Sequence, residues 1–166
     1  MKQLEKIDPE TIVWIDEAGI DNRLYREHAW APRGQKVDAE IPGQKRERVS
    51  IIGGLMKGAF VAPFTFQGGC HADLFNAWLE EVLLPNLSKN TTLIMDNAAF
   101  HKSPKTKDLI EKFGCHLLFL PTDSPDLNPI EHWWHKIKSI LRPLVQQNPE
   151  NLHQLLDKLL SQCLSI

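Results

Sequence analysis

The order of apolar runs predicts an α/β fold: a mixed β-sheet covered by helices on both faces. Three observations carry this expectation. The first third of the chain holds short apolar, β-branched runs separated by turn signals, the pattern of an antiparallel meander. The remainder alternates segments of helical period with compact apolar runs, the pattern of parallel strands joined by crossovers. The 166 residues, 42% hydrophobic and 24% charged, suit a single globular domain spanning residues 1–166.

Thr11 to Ile15 is a β-branched run that stops at Asp16 and reads as a buried strand. Leu24 to Trp30 suits a second strand, closed by Ala31-Pro32-Arg33-Gly34, and the polar residues 35–47 read as a long hairpin excursion. Val49 to Met56 and Phe60 to Phe66 flank the turn at Lys57-Gly58, and the meander ends at Gly68-Gly69. Leu74, Trp78, Leu79, Val82 and Leu83 then recur at helical spacing up to Pro85. Thr91 to Met95 is a further buried strand, and it halts at a second aspartate, Asp96.

Ser103 as N-cap, Pro104 at the first helical position and Gly114 past the end delimit a helix over Pro104 to Phe113. Cys115 to Leu120 is the last strand. A helix starts near Asn128-Pro129 with Ile130, Trp133 or Trp134, Ile137 and Leu141 as its core stripe, and Pro143 should end or kink it. A final helix over about residues 150–164 turns Leu152, Leu155, Leu156, Leu159 and Leu160 inward. Right-handed crossover places the strands that end at Asp16 and Asp96 side by side and parallel.

Composition excludes several classes. No stretch approaches the ~20 apolar residues of a membrane span. The N-terminus lacks the apolar core of a secretory signal, so a cytoplasmic location is expected. Cys70, Cys115 and Cys163 form neither a disulfide framework nor a paired metal motif. His132 and His135, with Cys115-His116 upstream, match no structural zinc spacing. The net charge of −2 weighs mildly against nucleic acid, but cations cluster at Arg33 to Arg48, at Lys102, Lys105 and Lys107, and at Lys136, Lys138 and Arg142. A solvated face explains such runs equally well.

Chemistry concentrates on three carboxylates. Two buried runs each end in an aspartate, where an unpaired carboxylate is costly to bury. If the strands are neighbours, both side chains emerge at the sheet edge where α/β folds bind ligands. Glu131 opens the following helix. Hard cations such as Mg²⁺ prefer carboxylate oxygens and retain waters that a phosphate can displace. Two such ions ~3.5–4 Å apart can activate an attacking oxygen and stabilise a leaving one. Each acid also has a plain structural reading: Asp16 and Asp96 as turn residues, and Glu131 as the N3 member of a capping box opened by Asn128.

The block Asp96-Asn97-Ala98-Ala99-Phe100-His101-Lys102 and the block Leu120-Pro121-Thr122-Asp123-Ser124-Pro125-Asp126-Leu127-Asn128-Pro129-Ile130-Glu131-His132-Trp133-Trp134 resemble signatures of the mariner superfamily of DDE transposases, within it the bacterial insertion-sequence branch known as IS six-thirty. Trp14-Ile15-Asp16-Glu17 resembles that family's first catalytic strand, and the 34 residues between Asp96 and Glu131 (131 − 96 − 1) match its usual interval. The resemblance runs from about residue 11 to residue 142.

The resemblance implies a ribonuclease-H-like, mixed five-stranded sheet with Asp16, Asp96 and Glu131 as catalytic, metal-holding triad. It implies Mg²⁺ or Mn²⁺, two ions, as cofactor. It implies DNA as partner, both transposon ends and target, cut and then joined through a freed 3′-hydroxyl, with a homodimer assembled on that DNA and the protein in the bacterial cytoplasm or on the nucleoid. A ribonuclease-H-like nuclease without joining activity and an inactive binding relic are the alternatives.

Two departures stand out. Thr122-Asp123 replaces the Pro-Tyr often found before Ser-Pro in that loop. The chain also begins almost at the first catalytic strand, so the helix-turn-helix reader usual in the family is expected to be absent or carried on a separate N-terminal DNA-binding polypeptide. Beyond the triad, His101 and Lys102 are candidates to contact the scissile phosphate. Lys105, Arg46, Arg48, His135 and Lys138 are further candidates for DNA contact. His135 shares a helix face with Glu131, four residues earlier.

Overall fold

A computed structural model describes residues 7–21, 48–121, 127–147 and 151–163. The strands are β1 (Ile12–Asp21), β2 (Arg48–Met56), β3 (Ala59–Gln67), β4 (Thr92–Met95) and β5 (His116–Phe119), in the sheet order β3-β2-β1-β4-β5. β3, β2 and β1 pair antiparallel; β1, β4 and β5 pair parallel. The mixed five-stranded sheet and the parallel β1–β4 neighbours agree with the sequence expectation.

Helices cover both faces. The odd positions Val13 and Ile15 of β1, with Leu93 and Met95 of β4, pack against α1 (Ala72–Trp78), the π-helical turn Leu79–Leu83 that continues it, and α2 (Pro104–Phe113). On the other face Ala18, Ile20, Val49 and Ile51 pack against α3 (Ile130–Gln147) and α4 (Leu152–Cys163). Each fully buried aliphatic or aromatic side chain in these layers contributes roughly 1.5–3 kcal/mol of burial. Two layers on one sheet follow directly from the period-2 alternation of β1.

Local chemistry sets the boundaries of α2. The Ser103 hydroxyl accepts from the Thr106 N–H at 3.1 Å, and Pro104 occupies the first turn. Gly114 sits at φ 82°, so its N–H and that of Cys115 return to the carbonyls of Glu111 and Ile110.

Two expectations change. β1 does not stop at Asp16 but runs on to Asp21, because Ala18 and Ile20 are buried on the α3 face and keep the strand in the sheet. Of the two outcomes expected at Pro143, an end does not occur: α3 passes through it to Gln147, with Leu141 and Val145 in the core. The α4 leucines turn inward as expected: Leu152, Leu156 and Leu160 are buried, and the half-buried Leu155 and Leu159 pack against the same core. The expected strand Leu24 to Trp30, the excursion over 35–47 and the Thr122-Asp123 loop lie outside the described residues. No helix among the described residues is long and apolar enough to cross a membrane.

Candidate active site

Asp16 and Glu17 are consecutive on β1 and therefore face opposite sides of the sheet. Asp16 turns toward α3, where the Trp134 indole N–H donates to its Oδ2 at 2.9 Å. Burial pushes the Asp16 carboxyl up to about 7; the negative charge of Glu17 adds to this, the Trp134 hydrogen bond opposes it, and the charge of Glu131 raises it further. Glu131, in the first turn of α3, is thus near enough for its charge to act on Asp16. The helix-capping role weighed for Glu131 is not seen: Asn128 Oδ1 accepts from the Ile130 N–H, and the Glu131 carboxylate makes no hydrogen bond among the described residues.

The β1–β4 register puts Val13 beside Leu93 and Trp14 beside Ile94, and Asp16 and Asp96 each follow two residues beyond that last pair. β4 has ended by then. Asp96 stands just outside the sheet with its side chain 54% exposed. Its Oδ1 accepts the Ala98 N–H at 2.9 Å and meets His101 Nδ1 at 2.8 Å. The Asn97 amide donates to the Leu120 carbonyl, tying this loop to the end of β5.

His101 lies on the 3-10 turn Ala99–Lys102 and is fully buried. Its ring packs on Phe75 and Phe100, with centroids 4.5 and 4.3 Å away. Nε2 lies 2.9 Å from Glu17 Oε1. Burial disfavours the charged imidazolium, but the hydrogen bond and charge of Glu17, then the charge and hydrogen bond of Asp96, outweigh it and raise the His101 pKa. The expected contact of His101 with a scissile phosphate is corrected here: zero exposure and two occupied ring nitrogens leave it nothing to offer a phosphate.

The other candidates scatter. Lys102 is exposed with its ammonium 5.9 Å from the Phe119 ring centre, and Lys105 is exposed on α2. His135 is exposed and Lys138 half-buried on α3. Arg48 is exposed, and its guanidinium lies so close over Gly19 that a Cβ there would come within 2.3 Å of it. Arg46 lies outside the described residues. Among the described residues, no group of three histidine, cysteine or acidic side chains closes up tightly enough to hold a metal ion. Glu131 lies within electrostatic reach of Asp16, and Asp96 follows the neighbouring strand, but among the described residues the three do not form a finished ligand set.

A family model described as DDE superfamily endonuclease matches residues 11–155. The chain belongs to the DDE endonuclease superfamily. Transposable element Tc1 transposase of Caenorhabditis elegans is 29% identical over 80 residues, which cover 48% of this chain and 29% of that protein. An insertion element IS630 uncharacterized 39 kDa protein of Shigella sonnei is 27% identical over 139 residues, covering 82% of this chain and 40% of that one. The chain thus spans less than half the length of these relatives. The crystal structure of the catalytic domain of Mos1 mariner transposase superposes with a TM-score of 0.57 at 14% identity, covering 99% of this chain and 85% of that one. The fold is the ribonuclease-H-like fold of such catalytic domains.

Within this DDE domain, sequence patterns passed over Glu17 and Trp134 as contributors to the site. Once β1 is extended, the signal for Glu17 is plain: it occupies the odd, core-facing register of Val13 and Ile15. For Trp134, the helical period left a choice between two adjacent tryptophans, and only packing resolves it: Trp134 is 2% exposed and Trp133 half-buried.

Proposed function

We propose that this domain cuts DNA phosphodiester bonds and joins the freed 3′-hydroxyl to target DNA, as the strand-transfer core of a transposase. The observation that supports the reading is the parallel β1–β4 pair, with Asp16 and Asp96 each two residues beyond its last paired positions, together with the Glu131 charge acting on Asp16. Burial, with the charges of Glu17 and Glu131 added to it, pushes the Asp16 carboxyl up to about 7 and leaves its charged form short of a counter-charge. Three hard oxygen donors suit Mg²⁺ or Mn²⁺. Asp16, Asp96 and Glu131 would hold the metal, which when bound would supply charge neutralisation at the phosphate and acidify an attacking water or hydroxyl.

The chain's own residues do the rest. Trp134 orients the Asp16 carboxylate from the α3 side. Lys102, Lys105, Arg46, Arg48, His135 and Lys138 are proposed to meet DNA backbone, Lys102 nearest to Asp96 in sequence. Pairing of two ends calls for two such domains, so a homodimer on DNA belongs to the same reading.

The test is Mg²⁺- or Mn²⁺-dependent cleavage and joining of transposon-end DNA by the full chain, with Asp96→Ala as control. Metal-dependent cleavage and joining that vanish in the variant support the proposal. Cleavage without joining of a pre-cut end bearing a free 3′-hydroxyl would reduce it to a nuclease. Products that persist in Asp96→Ala would refute it.

A further inference from the structure

His101 is buried and bonded at both ring nitrogens to carboxylates, one from within β1 and one from the loop that follows β4. Resting on the function proposed above, we propose that Glu17 and His101 form a clamp that positions Asp96 for metal binding. Neither is a catalytic residue; both act through Asp96.

The geometry is specific. Asp96 lies past the end of β4, in a loop, where no sheet hydrogen bonds fix its carboxylate. Two bonds fix it instead, from the Ala98 N–H at 2.9 Å and from His101 Nδ1 at 2.8 Å, and both fall on Oδ1. Oδ2 takes no hydrogen bond among the described residues and is left to a metal. A side chain 54% exposed would otherwise sample several rotamers, each costing affinity. His101 itself is held by the Phe75 and Phe100 rings and, through Nε2, by Glu17 at 2.9 Å. Glu17 is anchored in β1 opposite Ile52 and its side chain is only 16% exposed. The clamp therefore runs from the middle of β1 to the aspartate that stands just outside the sheet. Outer partners of this kind hold metal ligands in place and are worth roughly 10–100-fold in metal affinity or activity.

His101→Ala opens a cavity among Phe75 and Phe100 and risks misfolding, so Glu17 is the better probe. Glu17→Leu removes the anchor. Glu17→Gln keeps it, because the introduced amide can donate to Nε2 of the neutral ring or accept from Nε2–H of the imidazolium, and in each of these states Nδ1–H donates to Asp96. Three readouts on the full chain test the clamp: Mn²⁺ affinity by titration without DNA, the Asp96 side-chain conformation in crystals of each variant, and kcat against KM for end DNA.

Glu17→Leu is expected to lower Mn²⁺ affinity and kcat about 10–100-fold, with KM for DNA within about 2-fold and Asp96 in a new or mixed rotamer. Glu17→Gln should stay within about 3-fold of wild type. Unchanged Mn²⁺ affinity and an unmoved Asp96 in Glu17→Leu would overturn the clamp. So would equal losses in Glu17→Leu and Glu17→Gln, which would point to the charge of Glu17 and not its tie to His101. If Asp96→Ala leaves cleavage intact, the functional reading fails; if Asp96→Ala abolishes it while Glu17→Leu does not, only the clamp fails.

Discussion

Asp16 and Asp96 occupy equivalent places in two neighbouring parallel strands, yet the structure treats them oppositely. β1 continues past Asp16 as far as Asp21, so Asp16 is enclosed between sheet and α3, and its carboxyl is pushed up to about 7. β4 stops at Met95, so Asp96 projects into a loop with its side chain 54% exposed. One aspartate is positioned by burial, at an energetic cost to the charged form. The other is positioned by hydrogen bonds from Ala98 and His101. Strand length alone separates the two, and it assigns each a different support.

The largest test is catalytic. Asp16→Ala, Asp96→Ala and Glu131→Ala are each expected to lower metal-dependent DNA cleavage on the order of 10³-fold, measured at saturating DNA. A variant of one aspartate that keeps near-wild-type activity would break the equivalence of the pair.

Stability should split them. Asp16→Asn is expected to stabilise the metal-free protein by about 0.5–2 kcal/mol near pH 8, since it removes a charge the fold disfavours. The sign follows from linkage. The folded Asp16 holds its proton up to about 7 whereas the unfolded one releases it near 3.8, so this group's contribution falls as pH rises through that window and is level above it. The melting-temperature gain of Asp16→Asn over wild type should therefore widen from pH 5 to pH 8; a gain independent of pH would contradict the raised carboxyl.

Asp96→Asn should do the reverse, destabilising by about 1 kcal/mol through the loss of charge-assisted bonds. With the His101 pKa raised, the stability from its pairing is fully present below the usual histidine value and is lost as pH rises through the raised one. The melting deficit of Asp96→Asn should accordingly shrink from pH 6 to pH 9. A deficit that grows would exclude an ion pair there.

The smallest expected effect is at Gly19. A Cβ would come within 2.3 Å of the Arg48 guanidinium, the mobile end of a flexible side chain that can move aside. Gly19→Ala should leave stability within about 0.5 kcal/mol. If Arg48 grips phosphate from its present position, the same change should flatten the salt dependence of DNA binding; an unaltered slope removes Arg48 from the DNA contacts.

Much of this was legible in the residues. The caps Ser103 and Gly114 mark α2 to the residue, since capping is local hydrogen bonding that neighbours in sequence can specify. The apolar runs locate β2 to β5 for the same reason: alternation and burial leave a periodic trace. The end of β1 was not legible, because the acidic pair Asp16-Glu17 breaks the apolar run while Ala18 and Ile20 restore burial two residues later. Pro143 likewise signals a helix end that packing of Val145 overrides.

By itself the sequence determined the alternation of strand and helix, the placement of Asp96 and Glu131 at element ends and the motif blocks around them, all properties of contiguous residues. Tertiary structure alone decided that His101 points inward, that Glu17 reaches it from 84 positions away and that Trp134, not Trp133, holds Asp16. Those contacts join segments whose separation along the chain carries no periodic signal. They exist only because β1 lies beside β4 with a different helix layer on each face.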